Sequence, residues 1–153
     1  MLDGLYLAVF LLKVCEEDGE TYLEPIEDDN EFNESLDFAK KVRFLKAHIF
    51  PYSVRQGTVA ARMSGRVSEQ IKSKRAEIMA LTCDDISKKV MSDIIGLTRS
   101  VLFERSENGF TEGYSEDYVR VFVKENRALQ GRVVKVKIKE LMLDGVLAEP
   151  VEE

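Results

Sequence analysis

The sequence has little cysteine and one histidine, which limits the chemistry that the chain can support. Its two cysteines, Cys15 and Cys83, lie far apart among the 153 residues, so we expect no disulfide framework and a reducing compartment, the cytoplasm. The single histidine, His48, lies in an apolar segment without a serine or cysteine that would make it a catalytic partner. We therefore interpret His48 as a structural residue.

Long hydrophobic runs are also missing. The segment from Leu5 to Val14 is apolar but is interrupted by Lys13, and it is too short to cross a bilayer as a helix. A secretory signal would carry basic residues ahead of this segment, whereas Asp3 is the only charge there. We interpret the segment as a buried strand or a short helix, with an interfacial segment as the alternative.

Sequence patterns for calcium, phosphate and cofactor sites are lacking as well. The carboxylate runs Glu16–Asp18 and Asp28–Asp29 do not have calcium-loop spacing, so we interpret them as solvated loop charge. Gly57 lies in no phosphate-loop pattern. We interpret Met63, Met79 and Met91 as packing residues rather than as part of a cofactor site. No catalytic residue is predicted.

Charge is abundant but unevenly distributed. Residues 1–38 hold 1 Lys or Arg against 12 Asp or Glu, residues 39–75 hold 10 against 1, and residues 76–153 hold 11 against 15, which sums to the net charge of −6. A net acidic chain is a poor general nucleic-acid binder, but docking depends on the local field. The basic middle section is therefore either a local phosphate-attracting face or the solvated surface of a helix.

The first part of the chain contains one α/β unit. The acidic segment 16–30, with one glycine and one proline, predicts a loop. Asp29 or Asn30 then caps a helix, and a short strand from Phe44 to Phe50 follows it. This helix-then-strand order is typical of α/β folds. The apolar positions of the helix recur at helical spacing and are Phe32, Leu36, Ala39 and Val42.

A long helix without an internal proline is predicted next. Ser68 is the expected N-cap, and Gly96 is a C-terminal stop in the left-handed conformation. A helix of roughly 27 residues would be about 40 Å long. Such a length is typical of a connecting helix that packs along a larger structure, or of a helix that dimerises. The residues predicted to lie close to one face are Ile71, Arg75, Ile78, Met79, Thr82, Ile86, Val90 and Ile94.

After this helix the hydrophobic period changes to two, which predicts strands. The clearest strand follows Gly131, where three apolar residues alternate with three lysines. Asp144-Gly145 predicts a hairpin turn. About five short strands predict a small antiparallel barrel, and the whole chain is predicted to be α+β. The strands are expected at Thr98–Arg105, Phe110–Tyr114, Tyr118–Val123, from Gly131 onward and at Val146–Glu149.

Several motifs in this order resemble the C-terminal part of radical-SAM tRNA methylthiotransferases. The segment HIFPYSVRQGT is similar to the end of the sixth barrel strand and its loop, and EFNESLDFAKKV is similar to the helix before it. The segments ENGFTEGYSEDYVRVFV, GRVVKVKIKEL and DGVLAEPV resemble a TRAM domain, a small RNA-binding β-barrel. The PYS bend with its following arginine and Gly-Thr is most similar to the subgroup that acts on threonylcarbamoyladenosine in tRNA. The family's barrel-mouth loop corresponds to Tyr52, Ser53, Arg55, Gly57 and Thr58.

The resemblance implies a partial radical-SAM barrel at residues 1–62, with 1–30 divergent, a connecting helix at 63–96 and a TRAM-like RNA-binding barrel at 97–153. The family attaches a methylthio group to an adenosine next to the anticodon, using S-adenosylmethionine and two [4Fe-4S] clusters. One cluster needs a Cys-x-x-x-Cys-x-x-Cys loop, which this sequence does not contain. We therefore expect a fragment, a split-gene product or a decayed copy that is not catalytic alone and holds no cofactor by itself.

The resemblance also implies a tRNA anticodon stem-loop as the partner of the barrel. Alternating lysines would contact phosphates, while a tyrosine and an arginine would offer an unpaired base a stacking surface and a planar cation. The alternative for the lysines is an ordinary solvated strand face. The candidate RNA-binding residues are Tyr118, Arg120, Arg132, Lys135, Lys137 and Lys139.

A function of a different class is that of a non-catalytic interaction protein. Its long helix would dimerise, or would dock onto a separate N-terminal radical-SAM subunit that carries the clusters.

In the intact family, Tyr52 and Arg55 would lie near the cofactor or the substrate. No membrane partner is expected.

Overall fold

A computed structural model describes residues 6–10, 13–17, 20–24, 29–51, 53–54, 56–57, 61 and 67–151, with side chains described from Asp29 onward. The chain divides into two compact units, consisting mainly of Tyr6–Asp85 and Ile86–Glu153. Three residues of the predicted barrel-mouth loop lie outside the described residues, and they are Tyr52, Arg55 and Thr58.

The first unit contains a parallel strand pair with a helix between the strands in sequence. Strand β1 (Tyr6–Phe10) pairs with β4 (Lys46–Phe50) along its whole length. Helix α1 (Asp29–Val42) precedes β4, which gives the β-α-β order of an α/β unit. Of the two structures predicted for the apolar segment 5–14, the strand is confirmed over β1.

A second strand pair occupies part of the segment predicted to be a loop. Strands β2 (Lys13–Glu17) and β3 (Glu20–Glu24) pair antiparallel, with Lys13 opposite Glu24. The loop prediction for residues 16–30 was therefore wrong over β3 and over the last two residues of β2. Strand β3 contains Thr21, Tyr22 and Leu23, whose β propensity outweighs the acidic residues on either side.

Helix α1 begins and ends close to its predicted positions. Acidic residues in its first turn and lysines in its last turn both interact favourably with the helix dipole. Phe32 and Ala39 are buried, as the helical spacing predicts. Arg43 ends the helix with a φ of 62°, and its N–H donates to the carbonyl oxygen of Ala39 at 3.0 Å.

Helix α2 (Glu69–Ser92) is the long helix predicted from the sequence, and it has 24 residues. Ser68 is its N-cap as predicted, because its Oγ accepts the N–H of Ile71 at 3.4 Å. Gly96 has a φ of 84°, the left-handed conformation predicted for the stop. In the described part of the chain, neither helix has the length and apolar composition needed to cross a membrane.

The buried face of α2 differs from the predicted one. Arg75 and Met79 are buried as predicted, but Ile71 and Ile78 are exposed, and Lys72, which was not predicted on this face, is buried. Arg75 donates from Nη2 to Oδ1 of Asp29 at 2.9 Å, and its guanidinium lies 5.3 Å from the centroid of the Phe32 ring. A cation that has a carboxylate and an aromatic ring as partners can be buried. The buried residues in this helix are Lys72, Arg75, Met79, Cys83, Ile86 and Met91.

The second unit contains a closed five-stranded barrel. The strands pair in the order β5-β6-β7-β9-β8, and β8 closes on β5. The predicted barrel is confirmed, but its wholly antiparallel arrangement was wrong, because β7 and β9 are parallel. A 3-10 turn at Arg127–Leu129 and the whole of β8 separate these two strands in sequence, which allows them to run in the same direction. The strands are β5 (Thr98–Glu107), β6 (Phe110–Ser115), β7 (Arg120–Lys124), β8 (Val133–Met142) and β9 (Gly145–Pro150).

Two tight turns set the register of the barrel hairpins. Asn108 and Gly109 join β5 to β6 with φ of 52° and 81°, the two positive angles that a type I′ turn requires. The β8–β9 hairpin turns at Leu143 and Asp144, because Gly145 is already paired in the ladder. The predicted turn at Asp144-Gly145 was therefore wrong by one residue.

The barrel core consists of apolar side chains from β5, β7, β8 and β9, and β6 contributes the buried hydroxyl residues Thr111 and Ser115. Each buried apolar side chain contributes about 1.5–3 kcal/mol by burial. Glycine is required where two strands approach closely, because a Cβ on Gly145 would lie 2.2 Å from the carbonyl oxygen of Arg120. Six apolar side chains have no exposed surface, and they are Val101, Phe103, Val121, Val136, Ile138 and Val146.

Candidate nucleic-acid interface

Strand β8 displays lysines on the outer surface of the barrel. Lys135, Lys137 and Lys139 are exposed, whereas Val136 and Ile138 have no exposed surface. The two-residue alternation predicted from the sequence is therefore confirmed. A bulge follows Ile138 and ends the alternation.

Most basic side chains of the barrel are held in ion pairs, but most of those on and next to β8 are not. Residues 97–151 contain nine Lys and Arg. Five of them pair with carboxylates: Arg99 with Asp117, Arg105 and Arg120 with Glu112, Arg127 with Glu125, and Lys139 with Glu149. Among the described residues, the side chains without such a partner are Lys124, Arg132, Lys135 and Lys137.

The neighbours of the β8 lysines leave positive charge at the surface. Lys135 lies opposite Ser100 and Lys137 lies opposite Thr98, and both β5 residues are uncharged. Glu149 on β9 also lies opposite Lys137, but its carboxylate binds the third lysine at 2.5 Å. A strip of cations on one surface attracts phosphate groups. The β8 strip consists of Lys135, Lys137 and Lys139, together with Arg132, which directly precedes β8 and is also exposed.

Arg120 has several partners within the barrel. Its Nη1 lies 2.8 Å from Oδ1 of Asp144, and its Nη2 lies 2.5 Å from Oε2 of Glu112. Its guanidinium lies over the ring of Phe122, 4.8 Å from the centroid. One face of the guanidinium is thus covered, and several of its donors are used. In this structure Arg120 links β6, β7 and the β8–β9 turn.

Glu112 is the centre of this ion network. It accepts hydrogen bonds from Arg105 on β5 and from Arg120 on β7. Burial alone would raise the pKa of this carboxyl, but the hydrogen bonds and charges of the two arginines outweigh burial and hold the pKa below its ordinary value. Burial would lower the pKa of Arg120, and the carboxylates of Asp144 and Glu112 raise it instead. Glu112 and Arg120 therefore stay charged near neutral pH.

Tyr118 lies in the turn between β6 and β7. It has a φ of 60°, and its side chain is 59% exposed. Ser115 fixes this turn, because its N–H donates to the carbonyl oxygen of Val119 and its carbonyl oxygen accepts the N–H of Tyr118, each at 3.0 Å. The turn presents the ring to solvent, and its role in stacking stays a prediction.

The predicted barrel-mouth loop is described only in part. Ser53 and Gly57 are exposed, and Gly57 has a φ of 88°. His48 on β4 is also exposed, and its ring stacks on that of Phe50 with centroids 6.4 Å apart. The family role of this loop stays a prediction.

The cysteines do not fit a [4Fe-4S] cluster of the kind that the resemblance implies. Such a cluster needs three thiolates in one loop, and the sequence has two cysteines in all. Cys83 is buried in α2, and burial, followed by the charge of Asp84, raises the pKa of its thiol. Within the described residues, no group of three His, Cys, Asp or Glu side chains is arranged to hold a metal ion.

Curated relatives share clear sequence similarity with most of the chain. The threonylcarbamoyladenosine tRNA methylthiotransferase of Bacillus subtilis is 34% identical over 119 residues, which cover 74% of this chain and 26% of the relative. The enzyme of the same name from Thermotoga maritima is 37% identical over 125 residues, which cover 81% of this chain and 28% of the relative. The chain is homologous to part of the tRNA methylthiotransferases.

A second subgroup of tRNA methylthiotransferases matches nearly as well. The tRNA-2-methylthio-N(6)-dimethylallyladenosine synthase of Bacillus velezensis is 36% identical over 130 residues, which cover 81% of this chain and 26% of the relative. The chain thus spans about a quarter of the length of these tRNA methylthiotransferases. No protein-family model matches the chain.

The ion network around Glu112 was not among the predicted site residues. A signal for it exists in the sequence, because the Asn108-Gly109 turn places Glu112 opposite Arg105 on the neighbouring strand. The pairing of Asp144 with Arg120 has no local signal, since it depends on the parallel neighbours β7 and β9.

Proposed function

We propose that the chain is the tRNA-binding C-terminal region of a threonylcarbamoyladenosine tRNA methylthiotransferase. The barrel β5–β9 would act as a TRAM domain and hold the anticodon stem-loop of a tRNA. The β8 strip carries this proposal, because most of its cations lack carboxylate partners among the described residues of a barrel otherwise rich in ion pairs. The names of the relatives, which are tRNA methylthiotransferases, support tRNA as the partner.

In this mechanism the β8 strip contacts the phosphate backbone. Each contact releases condensed counterions from the RNA, so affinity should fall as salt concentration rises. Five-stranded Greek-key barrels bind oligonucleotides elsewhere, which supports the assignment by analogy of architecture. Tyr118 remains a candidate stacking surface at the β6–β7 turn. Arg120 would act mainly by fixing the β8–β9 turn, because its side chain already has partners.

We further propose that the chain does not catalyse methylthiolation by itself. The cluster cysteines and the S-adenosylmethionine site would belong to the rest of such an enzyme, either in the same polypeptide or in a separate N-terminal radical-SAM subunit. Residues of the barrel-mouth loop would complete that site. A tRNA partner would place the chain in the cytoplasm.

The decisive experiment is a filter-binding titration of the whole chain against an anticodon stem-loop at several salt concentrations. The double variant K135Q/K137Q should weaken binding. It should also make the slope of log affinity against log salt concentration less negative, by about 0.7–0.9 for each phosphate that is no longer neutralised. The matched control K124Q/R127Q removes two positive charges elsewhere on the barrel. Equal effects of the two variants would mean that the β8 strip is an ordinary solvated strand face and not an RNA-binding surface.

A second candidate function is self-association or docking through α2. Three exposed apolar residues favour it, because they lie at helical spacing away from the buried face. They are Ile71, Ile78 and Leu81. Sedimentation velocity of the chain alone, over a range of concentrations, tests self-association. If the chain stays monomeric at every concentration, it does not dimerise through α2.

A further inference from the structure

Three exposed side chains form a row across the outer face of the barrel. Leu102 on β5 lies directly opposite Tyr114 on β6 and directly opposite Val133 on β8. Residues paired in this way point to the same face of a sheet. Their exposures are 44% for Leu102, 43% for Tyr114 and 69% for Val133. These three residues are called the apolar row.

The two ends of the apolar row differ in charge. At one end, Arg120 lies opposite Tyr114 and is held by the carboxylates of Glu112 and Asp144. At the other end are two cations of the β8 strip that have no carboxylate partner among the described residues. Arg132 directly precedes Val133, and Lys135 lies two residues after it on the same face of β8.

We infer that the apolar row binds an unpaired nucleobase of the RNA, which stacks on the ring of Tyr114 while Arg132 and Lys135 bind the adjacent phosphates. This inference rests on the proposed RNA-binding function and adds a base-binding element to the phosphate contacts of the β8 strip. In this inference Leu102, Tyr114 and Val133, which carry no charge, contact the base.

The dimensions and chemistry of the row fit a base. Neighbouring strands are about 4.8 Å apart, so three side chains on adjacent strands cover about 10 Å. An aromatic ring beside aliphatic side chains offers a flat apolar surface, and any base can stack on it. Proteins that bind single-stranded nucleic acids combine such a surface with a positively charged track for the backbone. The two cations beside Val133 supply that track, whereas burial of the row against another protein would not require them.

The test measures stacking and phosphate contact separately in the whole chain. The chain has no tryptophan, so Tyr114→Trp introduces a single fluorescent reporter. Titration with a short single-stranded oligoadenylate should quench this reporter, whereas Leu81→Trp on α2, a matched exposed site, should show no quenching. Tyr114→Ala should weaken binding roughly 5- to 100-fold without changing the salt dependence, and Tyr114→Phe should bind as the unchanged chain does.

Each outcome separates this inference from the function on which it rests. If K135Q/K137Q weakens binding but Tyr114→Ala does not, and Tyr114→Trp is not quenched, RNA binding stands and the apolar row is overturned as a base site. If the unchanged chain binds no RNA, both fail together. If the chain forms dimers that Tyr114→Ala abolishes, the row is a protein interface and the inference is wrong. Circular dichroism of each variant confirms folding, and the conservative Trp and Phe variants keep the test valid if Ala does not fold.

Discussion

The backbone N–H of Gly96 donates to the carbonyl oxygen of Ile138 at 2.9 Å, and the N–H of Ile138 donates to the carbonyl oxygen of Leu97 at 2.9 Å. The segment after α2 is therefore bonded directly to β8. Ile86, Met91 and Ile94 are buried within the same compact unit as the barrel. The end of the helix thus belongs to the same compact unit as the barrel.

This attachment predicts the boundary of the smallest stable fragment. A fragment of residues 86–153 should be more stable than one of residues 97–153, because three buried apolar side chains contribute roughly 3 kcal/mol or more. Urea unfolding of the two fragments measures the difference. Equal stability would show that the end of α2 adds nothing to the barrel.

Gly145→Ala should strongly destabilise the barrel, by about 2 kcal/mol or more, because its Cβ would overlap the carbonyl oxygen of Arg120 on β7. Gly109→Ala is the matched control. Nothing lies within 4 Å of a Cβ there, so its cost is only the positive φ, about 1 kcal/mol. Thermal unfolding compares the two, and a smaller loss for Gly145→Ala would contradict the close approach of β7 and β9.

Glu112 predicts a specific dependence of stability on pH. Its pKa in the folded chain lies below the ordinary value of 4.5, so its contribution to stability is fully present above that value and is lost as the pH falls through the folded pKa. Glu112→Gln should be less stable than the unchanged chain at about pH 7, and the difference should shrink towards about pH 3. Urea unfolding at both pH values measures it, and a constant difference would mean that the ion network does not act through this carboxylate.

The cysteine content predicts the result of cluster reconstitution. With iron, sulfide and a reductant, the chain should form no stable [4Fe-4S] cluster, because it has two cysteines and one of them is buried. Iron and sulfide analysis, together with the visible absorbance spectrum, provides the measurement. Stoichiometric cluster formation would contradict the proposal that the clusters belong to another part of the enzyme.

Features determined by local sequence were predictable. The N-cap at Ser68 and the alternation along β8 depend on residues close in sequence, and the structure shows both. Strand β3 was missed because acidic residues on either side suggested a solvated loop. The Asp18-Gly19 pair before it, typical of two-residue hairpins, was the available signal.

Features that depend on distant partners were not predictable in the same way. Helical spacing placed Arg75 on the predicted face of α2, but its partner Asp29 is far away in sequence, and no local pattern reports that pair. The parallel pairing of β7 with β9 likewise depends on how the barrel closes. At the candidate interface, the sequence predicted which lysines are exposed. It did not predict which cations are already neutralised by carboxylates, and that distinction separates Lys135 from Arg120.

Closure of the barrel determines how a partner can recognise it. Each of its five strands has a neighbour on both sides, so the barrel has no open edge along which a further strand from a ligand could pair over a whole strand. Recognition is therefore expected to use mainly side chains and turns. Surface substitutions on the outer face can then change affinity and base preference while the backbone ladder stays intact, so binding specificity can diverge without loss of the fold.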